Sequence, residues 1–262
     1  MRAEIGSLDG GHCHSFCTHI SLASAADPGA LRERDCPHDE DINNEIRSFI
    51  LQKNYPCVAA IQSVVRNDYV RGTYGQFGTG AHWHRLRTDL VKFLELQRAT
   101  KSRYLSFWAV FNAPVQTPDN ELHFEKKFWK ELSLLSSEEE RAGDWGEINS
   151  SDPNDPAFCL SIAGVKLFVV GLHPESSRFA RRFSRPAMVF NAFSQFEVFE
   201  EEGTYAAMVK IIRQNELRFQ GSINPMILAY GDDWEAIQYS GRENPESWKC
   251  PFNFVKQKDK LL

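Results

Sequence analysis

The chain reads as an α+β protein, a single mixed domain in which a central sheet is flanked by helices. Three observations predict it. Apolar residues recur at helical spacing in four separate stretches, and short aromatic or β-branched runs of strand length lie between them. The two kinds of segment are interspersed without the strict alternation of a doubly wound sheet. At 262 residues the chain is long enough to bury one sizeable core. Hydrophobic residues make up 42% and charged ones 25%, the balance of a folded globule rather than of a disordered chain.

Residues 1–40 are rich in Gly, Ser, Ala, Asp and charge without sustained periodicity, so a flexible N-terminal arm is expected there, with the folded domain over 41–262. Ile42, Ile46, Phe49 and Ile50 fall at i, i+4, i+7 and i+8, one face of a helix. Cys57 to Ile61, following Pro56, is an interior segment, strand or buried helix. Val70 to Gly80 (VRGTYGQFGTG) carries four glycines and reads as a loop that approaches something closely. Leu86, Leu90, Phe93 and Leu94 repeat at helical spacing, and Tyr104 to Phe111 is an aromatic strand closed by Asn112-Ala113-Pro114. Phe124, Phe128, Leu132 and Leu135 mark another helix, followed by an acidic loop with Pro153 and Pro156. Phe158 to Gly171 reads as two strands joined at Ala163-Gly164. Pro186 to Phe193 is a further strand, and a helix over 204–219 turns Tyr205, Met208, Ile212 and Phe219 inward. No internal repeat is present.

A net charge of -5 argues against a general nucleic-acid binder, which needs a surplus of Lys and Arg on one surface. No apolar run reaches the roughly 20 residues that span a bilayer, and MRAEIGSLDGG lacks the apolar centre of a secretory signal. A soluble, cytoplasmic protein is expected. The six cysteines show no small-scaffold spacing, so a disulfide framework is not expected.

Gly171 to Phe183 (GLHPESSRFARRF) is the most specific stretch. Pro174 biases His173 towards extended backbone at the end of a buried strand. Ser176 is placed to cap a helix after it, and on such a helix Arg178, Arg181, Arg182 and Arg185 share one face at i, i+3, i+4 and i+7. A metal ligand would then precede a stripe of guanidinium groups that attracts an anion. The plainer alternative is a hydrogen-bonded strand-end histidine, with the arginines paired to Glu200, Glu201 and Glu202. HCHSFC (His12 to Cys17), with His19, Cys36 and His38, contains metal-ligand types without zinc-finger spacing. His82-Trp83-His84 reads as the start of a helix. Cys57 and Cys250 are either inert packing or thiolates available to iron. No GxSxG, P-loop, Rossmann fingerprint or HExxH occurs.

PCVAA (Pro56 to Ala60), GLHPESSRFARRF, VFNAFSQFE (Val189 to Glu197), QGSINPM (Gln220 to Met226), QYSGR (Gln238 to Arg242) and WKCPF (Trp248 to Phe252) occur in this order. Together they resemble the YqcI/YcgG family over about residues 41–254. Several members of that family are haem proteins that hydroxylate nitrogen in natural-product and antibiotic pathways, among them an arginine Nω-hydroxylase of D-cycloserine biosynthesis and lysine N-oxygenases. The resemblance implies haem b, dioxygen as co-substrate, an external electron donor or reductase and a free amino-acid substrate. It implies a catalytic domain over 41–262, with L-arginine converted to Nω-hydroxy-L-arginine; a non-catalytic haem-binding or sensor protein is the alternative. For the haem, the resemblance points to His173 as axial iron ligand, with Cys57 and then Cys250 as rivals, and to Arg178, Arg181 and Arg182 at the propionates. Glu197, Asp232 and Asp233 are candidate partners for a substrate guanidinium, and the Val70 to Gly80 loop is a candidate cover for the haem.

Overall fold

The computed structural model describes residues 37–112, 120–136, 150–226 and 235–255. The elements are α1 (Pro37–Ile50), α2 (Val58–Val65), β1 (Tyr69–Gln76), α3 (Trp83–Thr100), β2 (Ser106–Asn112), α4 (Glu121–Leu135), β3 (Leu160–Ile162), β4 (Val165–Leu172), β5 (Ala187–Ala192), α5 (Ser194–Glu201) and α6 (Tyr205–Gln220), with 3₁₀ turns at Phe179–Arg181 and Glu235–Gln238. The five strands form one mixed sheet in the order β1-β2-β5-β4-β3. β1 and β2 are parallel, with α3 as the crossover such a pair requires, and the remaining pairs are antiparallel. The α+β class is borne out.

Both faces of the sheet are covered, which is why β2 reads as an unbroken apolar run rather than an alternating one. On one face Phe107, Ala109, Phe111, Met188, Phe190 and Val169 pack against α3, α4 and the C-terminal segment with Tyr239, Trp248 and Phe252. On the other, Tyr69, Trp108, Val110, Ala187, Val189 and Leu172 pack against α1, Tyr55, Val64 and Phe183. α1 seats Ile42, Ile46, Phe49 and Ile50 here, the four residues its spacing selected, and begins at Pro37 rather than near Asp41. The segment after Cys57 is a helix, not a strand; only Ser63 and Val64 are buried, Val58 to Gln62 are half-buried and Val65 is exposed.

The glycine-rich stretch differs from its sequence reading. Val70 to Gln76 is a strand, and its glycines make room for neighbouring rings. A Cβ on Gly72 would lie 2.5 Å from the Tyr74 hydroxyl, and one on Gly75 would lie 2.3 Å from His82 Nε2. Only Gly78 and Gly80 have positive φ. Their N–H groups both donate to Glu131 Oε1, at 2.8 and 3.0 Å, so the short loop is tied to α4. It does not line the cavity described below.

Two expectations test these local arguments. Ala163 and Gly164, which close the β3–β4 hairpin, both have left-handed φ, 49° and 71°; Ala tolerates this poorly, whereas Asn adopts it readily. Ala163→Asn should therefore stabilise the protein by about 1 kcal/mol, seen as a rise in Tm of about 2–4 °C. Burial pushes the Glu131 carboxyl above its ordinary pKa, against the pull of the Gly80 and Gly78 N–H groups. Its raised folded pKa makes a contribution that is present at low pH and lost as pH rises through that pKa. Urea unfolding should show Glu131→Gln gaining stability relative to the parent between pH 5 and pH 7; an unchanging difference would contradict this.

Candidate functional site

A cavity of about 230 Å³ opens between the α1-bearing face of the sheet and the helices α2, α5 and α6. Alternation along the strands builds its floor: Ser106 and Trp108 from β2, Phe168, Val170 and Leu172 from β4, Val189 and Asn191 from β5. α5 contributes Phe196 and Phe199, and α6 contributes Met208, Val209, Ile212 and Glu216. Tyr205, Met208 and Ile212 thus face inward as their spacing predicts, and remain half-buried because they face open space.

Cys57 stands at the edge of this cavity as the N-cap of α2, its Sγ accepting the Ala60 N–H at 3.4 Å. Burial pushes the thiol above its ordinary pKa, while the Ala60 and Ala59 N–H groups and the Arg181 charge pull it back. The group is a neutral thiol in an apolar setting, with helix N–H donors and a nearby cation that lower the cost of ionising it. Beside it, the Tyr55 hydroxyl donates to Ala180 O at 3.0 Å, and burial pushes its pKa far up.

The arginines do not form the predicted stripe. Only Phe179–Arg181 is helical, a single 3₁₀ turn, so residues three and four apart no longer share a face. Arg178 donates to Glu216 Oε1 at 3.3 Å and to Ser222 Oγ and O at 2.9 Å each. Arg181 lies at the cavity with its guanidinium on three backbone carbonyls, Gly171 at 3.1 Å, Tyr239 at 3.2 Å and Gln238 at 3.2 Å. Burial lowers its pKa, only partly offset by Tyr55, Cys57 and Glu216. Arg182 turns elsewhere, to Ser176 O and over the Phe179 ring at 4.7 Å. Arg185 holds Glu45 of α1 through two bonds, at 2.9 and 2.8 Å. The alternative pairing with Glu200 to Glu202 is absent as well: Glu202 binds Arg103, which itself lines the cavity. Ser176 does not cap a helix; its Oγ is buried without a hydrogen-bond partner.

His173 is separated from the cavity by the sheet. Leu172 points into the cavity, so His173 points to the α4 face, where its ring stacks on Phe124 with centroids 4.1 Å apart. Gly171 shares that side, since a Cβ there would meet Phe124 at 2.9 Å. Burial and the Arg181 charge pull the imidazole pKa down to about 4, so it is neutral, and Nδ1 has no hydrogen-bond partner. The expected convergence of His173 with Arg178, Arg181 and Arg182 is therefore corrected: Arg178 and Arg181 share a cavity with Cys57, while His173 and Arg182 do not line it.

Cys250 is buried on the α4 side, its thiol pushed up to about 12. Glu197 is exposed and outside the cavity lining. Asp232 and Asp233, and the HCHSFC stretch with His19 and Cys36, lie outside the described residues. Among the described residues no cluster of three or more His, Cys, Asp or Glu could hold a metal ion, and no helix is long and apolar enough to cross a membrane. QYSGR and WKCPF meet at one buried carboxylate, Glu125 of α4, which accepts from Ser240 Oγ, Arg242 Nε and Trp248 Nε1. Glu216 and Tyr55 were not singled out from the sequence. Glu216 was detectable, being a charge at i+4 from Ile212 and i+8 from Met208 on the inward face of α6.

Glu216 is also the carboxylate partner of Arg178, and its other oxygen takes the Asn224 N–H at 2.9 Å. Breaking a buried pair strands the remaining charge. Glu216→Ala should cost about 3 kcal/mol in urea unfolding at pH 7; a loss below about 1 kcal/mol, as for a surface pair, would contradict the geometry.

The sequence profile of the YqcI/YcgG family matches residues 46–253, which contain the sheet, the cavity and His173. No curated protein and no solved structure matches the chain significantly.

Proposed function

The chain belongs to the YqcI/YcgG family, and from that premise we propose a haem-dependent monooxygenase that hydroxylates a side-chain nitrogen of a free amino acid, first of all L-arginine to Nω-hydroxy-L-arginine. The observation that carries the reading is the cavity, which offers a sulfur donor, an apolar aromatic slot and cations together. The donor types suit haem b, while the cavity, at about 230 Å³, is below the range of about 300–1,000 Å³ of ordinary ligand pockets, so loading would have to part α2 and α6 from the sheet. Cys57 would hold the iron; Trp108, Phe168, Val170 and Val189 would line the macrocycle; Arg178 and Arg181 would face the propionates. Bound there, haem supplies dioxygen activation: one oxygen atom joins the substrate nitrogen and the other leaves as water, with two electrons and two protons from an external donor.

The chain's own contribution is binding, orientation and electrostatics. With iron bound, the α2 N–H groups and Arg181 would offset part of the burial cost of a Cys57 thiolate. The apolar wall keeps water from the reacting nitrogen. Glu216 and Glu235 are carboxylates at the cavity that would orient a substrate guanidinium or ammonium. A second reading, with iron at His173, is favoured by one observation, the unpartnered Nδ1 of a neutral buried imidazole.

Hemin titration followed at the Soret band, with the parent, Cys57→Ala and His173→Ala, tests both. The expected result is uptake by the parent, a shifted or lost band in Cys57→Ala and an unshifted one in His173→Ala. The opposite pattern moves the iron across the sheet, and a protein that takes up no hemin removes the haem reading. Turnover of L-arginine with a reductant and dioxygen separates the oxygenase from a non-catalytic haem-binding or sensor protein.

A further inference from the structure

α6 shows one face to the cavity and the other to solvent. Its outer face carries Lys210, Arg213 and Arg218 and no carboxylate, because the one acid of the helix, Glu216, points inward. None of the three cations is paired with a carboxylate among the described residues. Between them Ile211 and Leu217 are 46% and 50% exposed, and Phe179 and Ile223, at the C-terminal end of the helix, 43% and 42%. An unpaired positive face with apolar residues exposed is distinctive on a chain whose net charge is -5.

We infer that this face of α6 docks a small acidic one-electron carrier protein of the ferredoxin or flavodoxin type. The inference rests on the haem reading, which needs electrons from outside, and it names where they come in. The face lies directly over the cavity, separated from it by the thickness of a single helix, about 10 Å. Charge complementarity steers the encounter of an acidic carrier, and the apolar side chains supply contact area once it is seated. Two encounters deliver the two electrons of one turnover, the carrier losing one electron each time. An anionic membrane fits less well, since four apolar side chains spread among cations, without a tryptophan, give little depth of insertion.

The test uses the full chain and an acidic [2Fe–2S] ferredoxin as probe. Binding is measured by calorimetry at low and high salt, and reduction of the hemin-loaded protein by pre-reduced ferredoxin is followed by stopped flow. Low-salt binding that weakens as salt rises is expected. Lys210→Glu/Arg213→Glu/Arg218→Glu should slow reduction by ferredoxin about tenfold or more, while reduction by dithionite stays unchanged. Lys92→Glu/Lys101→Glu/Lys126→Glu carries the same change in charge on the α3 and α4 side, and should behave as the parent. Equal effects of the two triple variants, or none from the first, would overturn the inference. So would α6-dependent sedimentation with phosphatidylserine vesicles without ferredoxin binding. Failure of the haem reading is separate, since it appears as absent hemin uptake before any carrier is added.

Discussion

The two-residue alternation of β4 within a sheet buried on both faces is the constraint on which the site depends. Val170 and Leu172 face the cavity while Gly171 and His173 face α4. A strand cannot turn neighbouring side chains to the same side, so the ring of His173 and the Cys57 thiol are assigned to different layers. Gly171 marks how closely the α4 layer approaches, since any side chain there would meet Phe124 and Phe128. The backbone of the same strand end is shared: its Gly171 carbonyl receives Arg181, and the His173 N–H donates to Arg181 O at 3.0 Å.

The arginines follow from that attachment. Because His173 and Gly171 pin Arg181 to the end of the sheet, the segment after Pro174 cannot extend into a helix, and four residues with helical spacing point in four directions. Each meets a different element: Arg178 the inner side of α6, Arg181 the carbonyls around Tyr239, Arg182 its own turn, and Arg185 α1. Arg178, Arg181 and Arg185 tie this segment to other elements, and the first two of them reach the cavity in doing so. Glu125 does the same on the other face, where a single carboxylate gathers three donors from the C-terminal segment.

Much of this fold was legible in the sequence. The helices over Ile42 to Ile50, Leu86 to Leu94 and Phe124 to Leu135, the aromatic strand β2 and the Ala163-Gly164 hairpin all carry periodicity or turn chemistry that local physics enforces. The glycines of β1 were misread because glycine serves both turns and close contacts: the ring that crowds Gly75 is His82, outside the strand, and the Tyr74 ring that crowds Gly72 lies on the strand itself but is held by a hydrogen bond to Asp89 of α3. The site was half legible. Cys57, Arg178 and Arg181 were singled out, yet their grouping with Glu216 and Tyr55 depends on how α6 and the 37–65 segment close over the sheet, which is long-range information. His173 was misgrouped because spacing along the chain does not say which face a strand end presents.

Locating the iron tests the central claim most directly. Anomalous diffraction at the iron edge, on crystals of the hemin-loaded protein, should place the metal within bonding distance of the Cys57 Sγ, on the α2 and α6 side of the sheet. Iron beside His173 on the α4 side, or no ordered iron in a fully loaded crystal, would contradict the account.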